Sequence, residues 1–299
     1  MKKRAVSVML TAAMVSAMLA GCGSKNAETQ SAADTTAESA ASGDETSADT
    51  QAADAETTDA ETTDASKTDG TFTVGFDQDF PPMGFVGDDG EFTGFDLEMA
   101  AEVAKRLNLM IAYQPIAWDA KDMELDAGTI DCIWNGFTMN GREDDYEWSK
   151  PYMKNNQVFV VRGDSDINSE ADLAGKNVEV QTDSSAEAAL NDNSELTSTF
   201  GSLTPVADYN TAFMDLESGA VDAIAMDDVV ASYQITSRKA DFKVLDDVIA
   251  AEEYGIGFKK GNTGLRDKVQ ATLEEMAADG TLAKISTKWF GEDITTIGK

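Results

Sequence analysis

The 299-residue chain contains no histidine. This removes Ser-His-Asp and Cys-His nucleophile systems, imidazole general bases and His-containing zinc sites. Cysteine is nearly absent too, with only Cys22 and Cys132, which is too few for a thiolate metal cluster. Cys132 sits in the apolar run Cys132-Ile133-Trp134 and reads as a small buried hydrophobe. Positive charge is scarce. Lys and Arg total 23 against 55 Asp and Glu, a formal net charge of −32, which excludes nucleic acid and anionic lipid as binding surfaces. There is no Walker loop. Gly255-Ile256-Gly257 with Gly261 has strand-bound glycines and the wrong last spacing for a dinucleotide loop. Asp88-Asp89-Gly90-Glu91 lacks the ligand spacing of an EF-hand. Neither a cofactor nor a metal is expected.

The N-terminus begins with the basic Met1-Lys2-Lys3-Arg4 and continues into a small, uncharged, apolar run from Ala5 to Ala20. That run falls short of the ~20 residues a transmembrane helix needs and suits the hydrophobic segment of a secretory signal. Leu19-Ala20-Gly21-Cys22 resembles a bacterial lipobox, which implies cleavage before Cys22 and diacylglycerol on its sulfur, giving an anchor outside the cytoplasmic membrane. With Cys22 lipidated, Cys132 has no disulfide partner. Residues 1–22 are therefore expected to be signal peptide and lipobox. Residues 23–70 are rich in Ala, Thr, Ser, Asp and Glu, with Asp54-Ala55-Glu56-Thr57-Thr58 repeated as Asp59-Ala60-Glu61-Thr62-Thr63. They have too little apolar surface to offset chain entropy and read as a disordered acidic spacer.

From Thr71 onward, strand-like and helix-like segments alternate. Phe72–Phe76, Ile111–Pro115, Asp131–Trp134, Gln157–Val161, Asn177–Val180, Ala223–Met226, Lys243–Leu245 and Gly255–Phe258 read as strands. Leu97, Ala100, Ala104 and Leu107 recur at helical spacing, as do Leu265, Val269, Leu273 and Met276 before Gly280, and Leu282–Phe290 continues as a helix. The rhythm predicts a mainly parallel α/β architecture that binds ligands at the carboxyl ends of its strands. Trp134-Asn135-Gly136 and Met226-Asp227 fall at such ends.

The segment DCIWNGFTMNGR, Asp131–Arg142, carries the most chemistry. An apolar strand runs into Asn135-Gly136, then offers the hydroxyl and amide of Thr138 and the guanidinium of Arg142. Such a set could grip a small zwitterion, with a fork of donors for its carboxylate. The same residues also read as a plain turn, with Arg142 solvated beside Glu143-Asp144-Asp145. Ser184-Ser185-Ala186-Glu187 fits a capping box. It reads either as a cap alone or as a helix N-terminus open to an anion. Asp227 ends a strand and either caps the next helix or faces a cation.

Several pieces occur in a fixed order: GFDQDFPPMGF, FTGFDLEMAAEVAKRL, IAWDAKDMELDAGTIDCIWNGFTM, VEVQTDSSAEAAL, SGAVDAIAMDD, YGIGFKKGNTGLRDKV and DGTLAKISTKWFG. Together they resemble the extracellular solute-binding proteins, family 3, of polar amino-acid ABC transporters. The resemblance implies the type II periplasmic-binding-protein fold: two α/β lobes, 71–161 plus 254–299 and 162–253, joined by crossings near Val158–Arg162 and Glu252–Gly255. It implies a ligand-binding lipoprotein that passes a free polar amino acid to an ABC permease, and it implies no enzyme activity. Arg142, the Thr138 amide and Ser185, with Ser184 beside it, would hold the carboxylate. Asp227, the Gly136 carbonyl and the Thr138 hydroxyl would hold the ammonium. Phe80 and Trp118 would flank the side chain, with Asp77, Trp134, Gln181 and Met226 lining its pocket, and Asp77 would suit an amide or a cationic group. Asn135 stands beside Gly136 in the same motif. One departure stands out: Thr138 and Arg142 are four apart, where the family pattern GxTxTxxR spaces them five. Gly141 would supply the backbone freedom to compensate, and Arg162 is the next nearest cation. Two other readings share the fold: a cyclohexadienyl dehydratase using a cleft carboxylate, and a ligand-binding partner of a sensor.

Overall fold

The computed structural model describes residues 70–299. The leader, the lipobox with Cys22 and the repeat tract lie outside the described residues. In chain order the elements are β1 (Thr71–Phe76), β2 (Asp79–Phe80), β3 (Gly84–Val86), β4 (Phe92–Thr93), α1 (Phe95–Arg106), β5 (Met110–Pro115), α2 (Lys121–Ala127) and β6 (Cys132–Thr138). There follow β7 (Glu147–Trp148), β8 (Met153–Arg162), β9 (Asn177–Gln181), α3 (Ser185–Asp192), α4 (Ser194–Thr197), β10 (Ser202–Val206), α5 (Tyr209–Ser218) and β11 (Ala223–Asp227). The chain ends with α6 (Asp228–Arg238), β12 (Phe242–Phe258), α7 (Thr263–Ala278) and α8 (Thr281–Phe290).

The strands join in the order β10-β9-β11-β8-β12-β6-β1-β5, with β7 beside β12. On one wing β1 runs parallel to β5 and β6; on the other β9 runs parallel to β10 and β11. The expectation of a mainly parallel sheet holds for these wings and fails in the middle. There β8 and β12 lie antiparallel to each other and to their neighbours β11 and β6. These two long strands carry the chain between the two α/β lobes. β8 pairs with β11 over Gln157–Val161, while β12 leaves β8 at Tyr254 and continues against β6.

Each wing is held by apolar faces that the sequence pattern exposes. β1 is buried at five consecutive positions because helices cover both faces of a parallel sheet. α1 turns Leu97, Ala100, Val103 and Ala104 onto one stripe against β5, β6 and α8. In the other lobe Val178, Val180, Ala186, Leu190, Ala223 and Ala225 form a second core. Cys132 is a free thiol, fully buried, and burial pushes its pKa well up.

Two elements differ from the sequence reading. The expected strands Lys243–Leu245 and Gly255–Phe258 are two ends of the single strand β12. Its middle, with Asp246, Asp247 and Glu253, looks like loop because one face is wet. Register shifts between Val244 and Ala250 let it bend from one lobe toward the other. The Asn135-Gly136 pair does not end β6 but lies inside it. Between the pairs Gly257↔Ile133 and Gly255↔Phe137, β6 carries extra residues, and Gly136 takes φ +58°. This is a bulge, a device that re-aims the backbone groups of a strand.

Candidate functional site

Where the lobes meet, one small cavity is lined by Phe80, Trp118, Asn135, Gly136, Thr138, Arg142, Gln181, Ser184, Ser185 and Asp227. Of the expected site residues in the described region, ten come together here. Asp77 does not line this cavity. It lies behind Gln181, whose amide donates to it at 2.6 Å, and it lines an adjoining recess with Asp79, Trp118, Asp119 and Asp208. Trp134 and Met226 also miss the cavity. Both are fully buried in the core, because the period-two alternation of β6 and β11 turns them to the opposite face from their neighbours.

The cationic end is built by local turns. Met139–Arg142 closes a turn, with the Arg142 N–H donating to the Met139 carbonyl at 3.0 Å, and Gly141 takes φ +80°. A turn with positive φ at its third residue favours glycine, so the shortened Thr138–Arg142 spacing is accommodated where the sequence has Gly141. The guanidinium returns over the Phe137 ring, 5.3 Å from its centroid. It donates to the Thr138 carbonyl and, across the lobes, to the Asp183 carbonyl, each at 3.3 Å. Arg162 is not part of the site: it donates to the carbonyls of Leu216 and Val221.

The N-terminus of α3 faces the same cavity. Ser184 is its N-cap and accepts from the Glu187 N–H at 3.1 Å. The reciprocal half of the expected capping box is shifted by one residue. Glu187 accepts from the N–H of Asp183, not of Ser184, because the Ser184 N–H donates to the Gln181 carbonyl. Ser185 thereby opens the helix with its hydroxyl toward Thr138, 3.1 Å away on the other lobe. First-turn N–H groups and the helix dipole make this end favourable for an anion.

The anionic end is Asp227. It is the N-cap residue of α6, yet its side chain makes no capping bond. Instead it accepts from Asn155 Nδ2 at 2.7 Å, from Gln157 Nε2 at 2.8 Å and from the Tyr254 hydroxyl. Asp228, its neighbour, points away and accepts from Asn156. Burial, then the charge of Glu252, push the Asp227 pKa well up. Sequence reasoning missed Glu252. It is buried on β12 and accepts from Asn155 at 2.6 Å, Gln157 at 2.7 Å and the Thr138 hydroxyl at 2.9 Å.

Phe80 and Trp118 are anchored differently. Phe80 packs against Tyr209, and Trp118 stands edge-on to Phe137 with the Lys121 ammonium 5.3 Å over its ring. Lys121 is itself buried and ion-pairs with Asp183 of the other lobe. Asn135 accepts from the Asp77 N–H at 3.0 Å, while its Nδ2 has no partner among the described residues. Asp96, a second residue missed from sequence, holds the bulge. Its carboxylate accepts from the Gly136 N–H at 2.6 Å and from the Tyr152 hydroxyl at 2.8 Å.

Burial raises Asp96 to about 7 and Asp77 to about 6. Both fold with more protons bound than the unfolded chain binds. Their contribution is therefore present below the unfolded carboxyl range near pH 4 and is lost as pH rises toward 7. The melting temperature of the ligand-free protein should fall between pH 5 and pH 8. Growing negative charge acts in the same direction, so the decisive comparison is Asp96→Asn, whose melting temperature should fall less steeply over that range.

The geometry defines a class: a two-lobed α/β fold whose inter-lobe cavity is lined by a guanidinium, a helix N-terminus and a buried carboxylate. The model of the bacterial extracellular solute-binding proteins, family 3, matches residues 72–292, and the chain belongs to this family. It is 34% identical over 228 residues to the L-cystine-binding protein TcyJ of Escherichia coli, covering 75% of this chain and 84% of that protein. It is 33% identical over 227 residues to the L-cystine-binding protein TcyA of Bacillus subtilis, covering 75% and 82%. A solved ABC uptake transporter substrate-binding protein from Streptococcus pneumoniae with bound histidine superposes with a TM-score of 0.74 at 35% identity, covering 76% of this chain and 95% of that one. These relatives are substrate-binding proteins rather than enzymes, which speaks against the dehydratase reading. Among the described residues, no helix is long and apolar enough to cross a membrane.

Proposed function

We propose that the cleft captures one free polar α-amino acid and hands it to an ABC permease. The observation that carries this reading is the opposed pair, Arg142 and Asp227, lining one cavity between the lobes. The carboxylate would lie on Arg142, the Thr138 amide and the Ser184-Ser185 helix end. The ammonium would lie on Asp227, the Gly136 carbonyl and the Thr138 hydroxyl, with Asn135 flanking the bulge. The side chain would pass between Phe80 and Trp118 toward Gln181 and, beyond it, Asp77. An amide or cationic group fits that direction, because Asp77 accepts where Gln181 donates.

Contacts that span the cleft support closure around the ligand: Thr138 to Ser185, Arg142 to the Asp183 carbonyl, and Asn210 to Asp79 at 2.8 Å. A ligand touching both lobes stabilises the closed state over the open one. We assign the lobes to 71–161 plus 254–299 and 162–253, and the anchor to a lipid on Cys22 with residues 23–70 as spacer. A ligand that binds only the folded state raises the melting temperature. In a thermal-shift screen of the standard amino acids with cystine and ornithine, at least one polar member should do so. No shift with any of them, at millimolar concentration, would overturn the reading.

A further inference from the structure

Asp227 and Glu252 sit on different strands, 25 residues apart in sequence, yet share the same two donors. Asn155 Nδ2 lies 2.7 Å from Asp227 Oδ1 and 2.6 Å from Glu252 Oε1; Gln157 Nε2 lies 2.8 and 2.7 Å from the same two oxygens. The register of β8 places Asn155 and Gln157 on one face, and its pairing with β12 sets Glu252 directly across from Asn155. The two carboxyl oxygens are therefore necessarily close. The donors to the pair are neutral and partly shared: Asn155 and Gln157 serve both carboxyls, the Tyr254 hydroxyl serves Asp227 and the Thr138 hydroxyl serves Glu252. Gln157 Nε2, with two hydrogens, faces three acceptors, Ser185 Oγ included, and among the described residues the buried Asn155 Oδ1 and Gln157 Oε1 have no partner.

The groups facing the pair leave it short of positive charge. Tyr254 of β12 donates to Asp227, and Tyr209 of α5 lies close enough to feel both carboxylates. The Tyr152–Asp96 pair packs behind Tyr254. Arg142 lines the same cavity and donates to the carbonyls of Thr138 and Asp183 rather than to the pair. Lys154 and Glu253 stand with Glu252 at a recess on the hinge side, and the exposed Lys154 has Glu253 as its own neighbour there. Two carboxylates this close, out of water and without a cation between them, cannot both ionise cheaply.

We propose that Asp227 and Glu252 share one proton when no amino acid is bound, and that the ligand's ammonium takes its place, so that binding releases a proton. The inference rests on the amino-acid reading of the cleft and adds to it a partner residue, Glu252, and a pH dependence. The one bond that breaks is a carboxyl O–H of the pair, whose proton goes to solvent, and the ligand's ammonium N–H groups then donate to Asp227, the Gly136 carbonyl and the Thr138 hydroxyl. Asp227 lines the main cavity while Glu252 lines the hinge-side recess, so the proton has a route out that the closed cleft does not block. The sign follows. Affinity is highest where the pair has already lost its proton, and it falls about tenfold per pH unit below that point.

Two measurements test this on the whole protein. Titration calorimetry at pH 7 with L-histidine, L-arginine and L-cystine, each in phosphate and in Tris, reads protons from the difference in heats. Close to one proton should leave per amino acid bound, and in Glu252→Gln binding, however weakened, should release close to none. Carbon-13 NMR of the side-chain carboxyls in the ligand-free protein should show the pair titrating well above the ordinary carboxylate range, with that step lost in Glu252→Gln. Binding with equal corrected heats in the two buffers, or a ligand-free pair that titrates normally, overturns the shared proton and leaves the amino-acid reading intact. An elevated titration in a protein that binds none of the three overturns the displacement and counts against the amino-acid reading with it.

Discussion

Replacing Arg142 with alanine should weaken amino-acid binding by about thirtyfold or more while leaving the fold in place. Among the described residues the guanidinium is the only side-chain cation that lines the cavity, so a bound carboxylate without it would be left to the neutral donors of the Thr138 amide and the α3 N-terminus. Removing one member of a buried, hydrogen-bonded charge pair costs roughly 2–5 kcal/mol, at least about thirtyfold and up to several thousandfold in Kd. The fold has little to lose. Arg142 donates to two carbonyls at 3.3 Å, its side chain is half-buried, and the backbone carbonyl that receives Trp148 Nε1 remains. Arg142→Lys keeps the charge and loses the fork, so its affinity should fall between the two. Calorimetry with the amino acid that gives the largest thermal shift, beside a melting curve, checks both. Undiminished affinity in Arg142→Ala would remove this residue from the site, and with it the carboxylate end of the proposal.

What the sequence showed of this molecule follows from the range of the interactions. β1, β5, β9 and β11 are written in short apolar runs, and the Ser184 cap in a four-residue pattern. Such features depend only on neighbours along the chain. The same holds for the Gly141 turn that brings Arg142 back toward Thr138. Glu252 was not legible, because Ala251-Glu252-Glu253 looks like any solvated acidic pair. Only the β8–β12 register turns Glu252 inward beside Asn155 and Glu253 outward. Asp96 was hidden in another way. Near the start of an amphipathic helix an acid reads as a favourable charge on the helix dipole. Its carboxylate instead reaches 40 residues along the chain to the Gly136 N–H, a contact created by a bulge that the Asn135-Gly136 turn signal disguised. Residue types were readable where the chemistry is local, and partners were not where the sheet decides them.

The largest loss of stability should come from Gly94→Ala, a position outside the cavity. Gly94 takes φ +143°, ψ +165°, a conformation open essentially to glycine alone, and a Cβ there would lie 2.3 Å from the Met83 carbonyl oxygen. The clash is with backbone and cannot be relieved by a rotamer. Its cause is the way α1 begins. No side chain caps the helix; the carbonyls of Pro82 and Met83 accept from the Phe95 and Asp96 N–H groups at 2.8 and 3.0 Å, so the loop must press end-on against the helix. Backbone strain of about 1–3 kcal/mol with overpacking of similar size gives roughly 3–5 kcal/mol, or a fall of about 10 °C in melting temperature for a body of this size. The displaced loop carries Phe80, and the displaced helix carries Asp96, which pins Gly136. Surviving Gly94→Ala protein should therefore bind amino acid more weakly as well. Asn108→Gly provides the control, since Asn108 also has positive φ, at +56°, but follows the far end of the same helix. Glycine there should change neither melting temperature nor affinity by a comparable amount. A Gly94→Ala protein that melts like the wild type would show that the loop, and not the helix, sets where Asp96 and the β6 bulge come to rest.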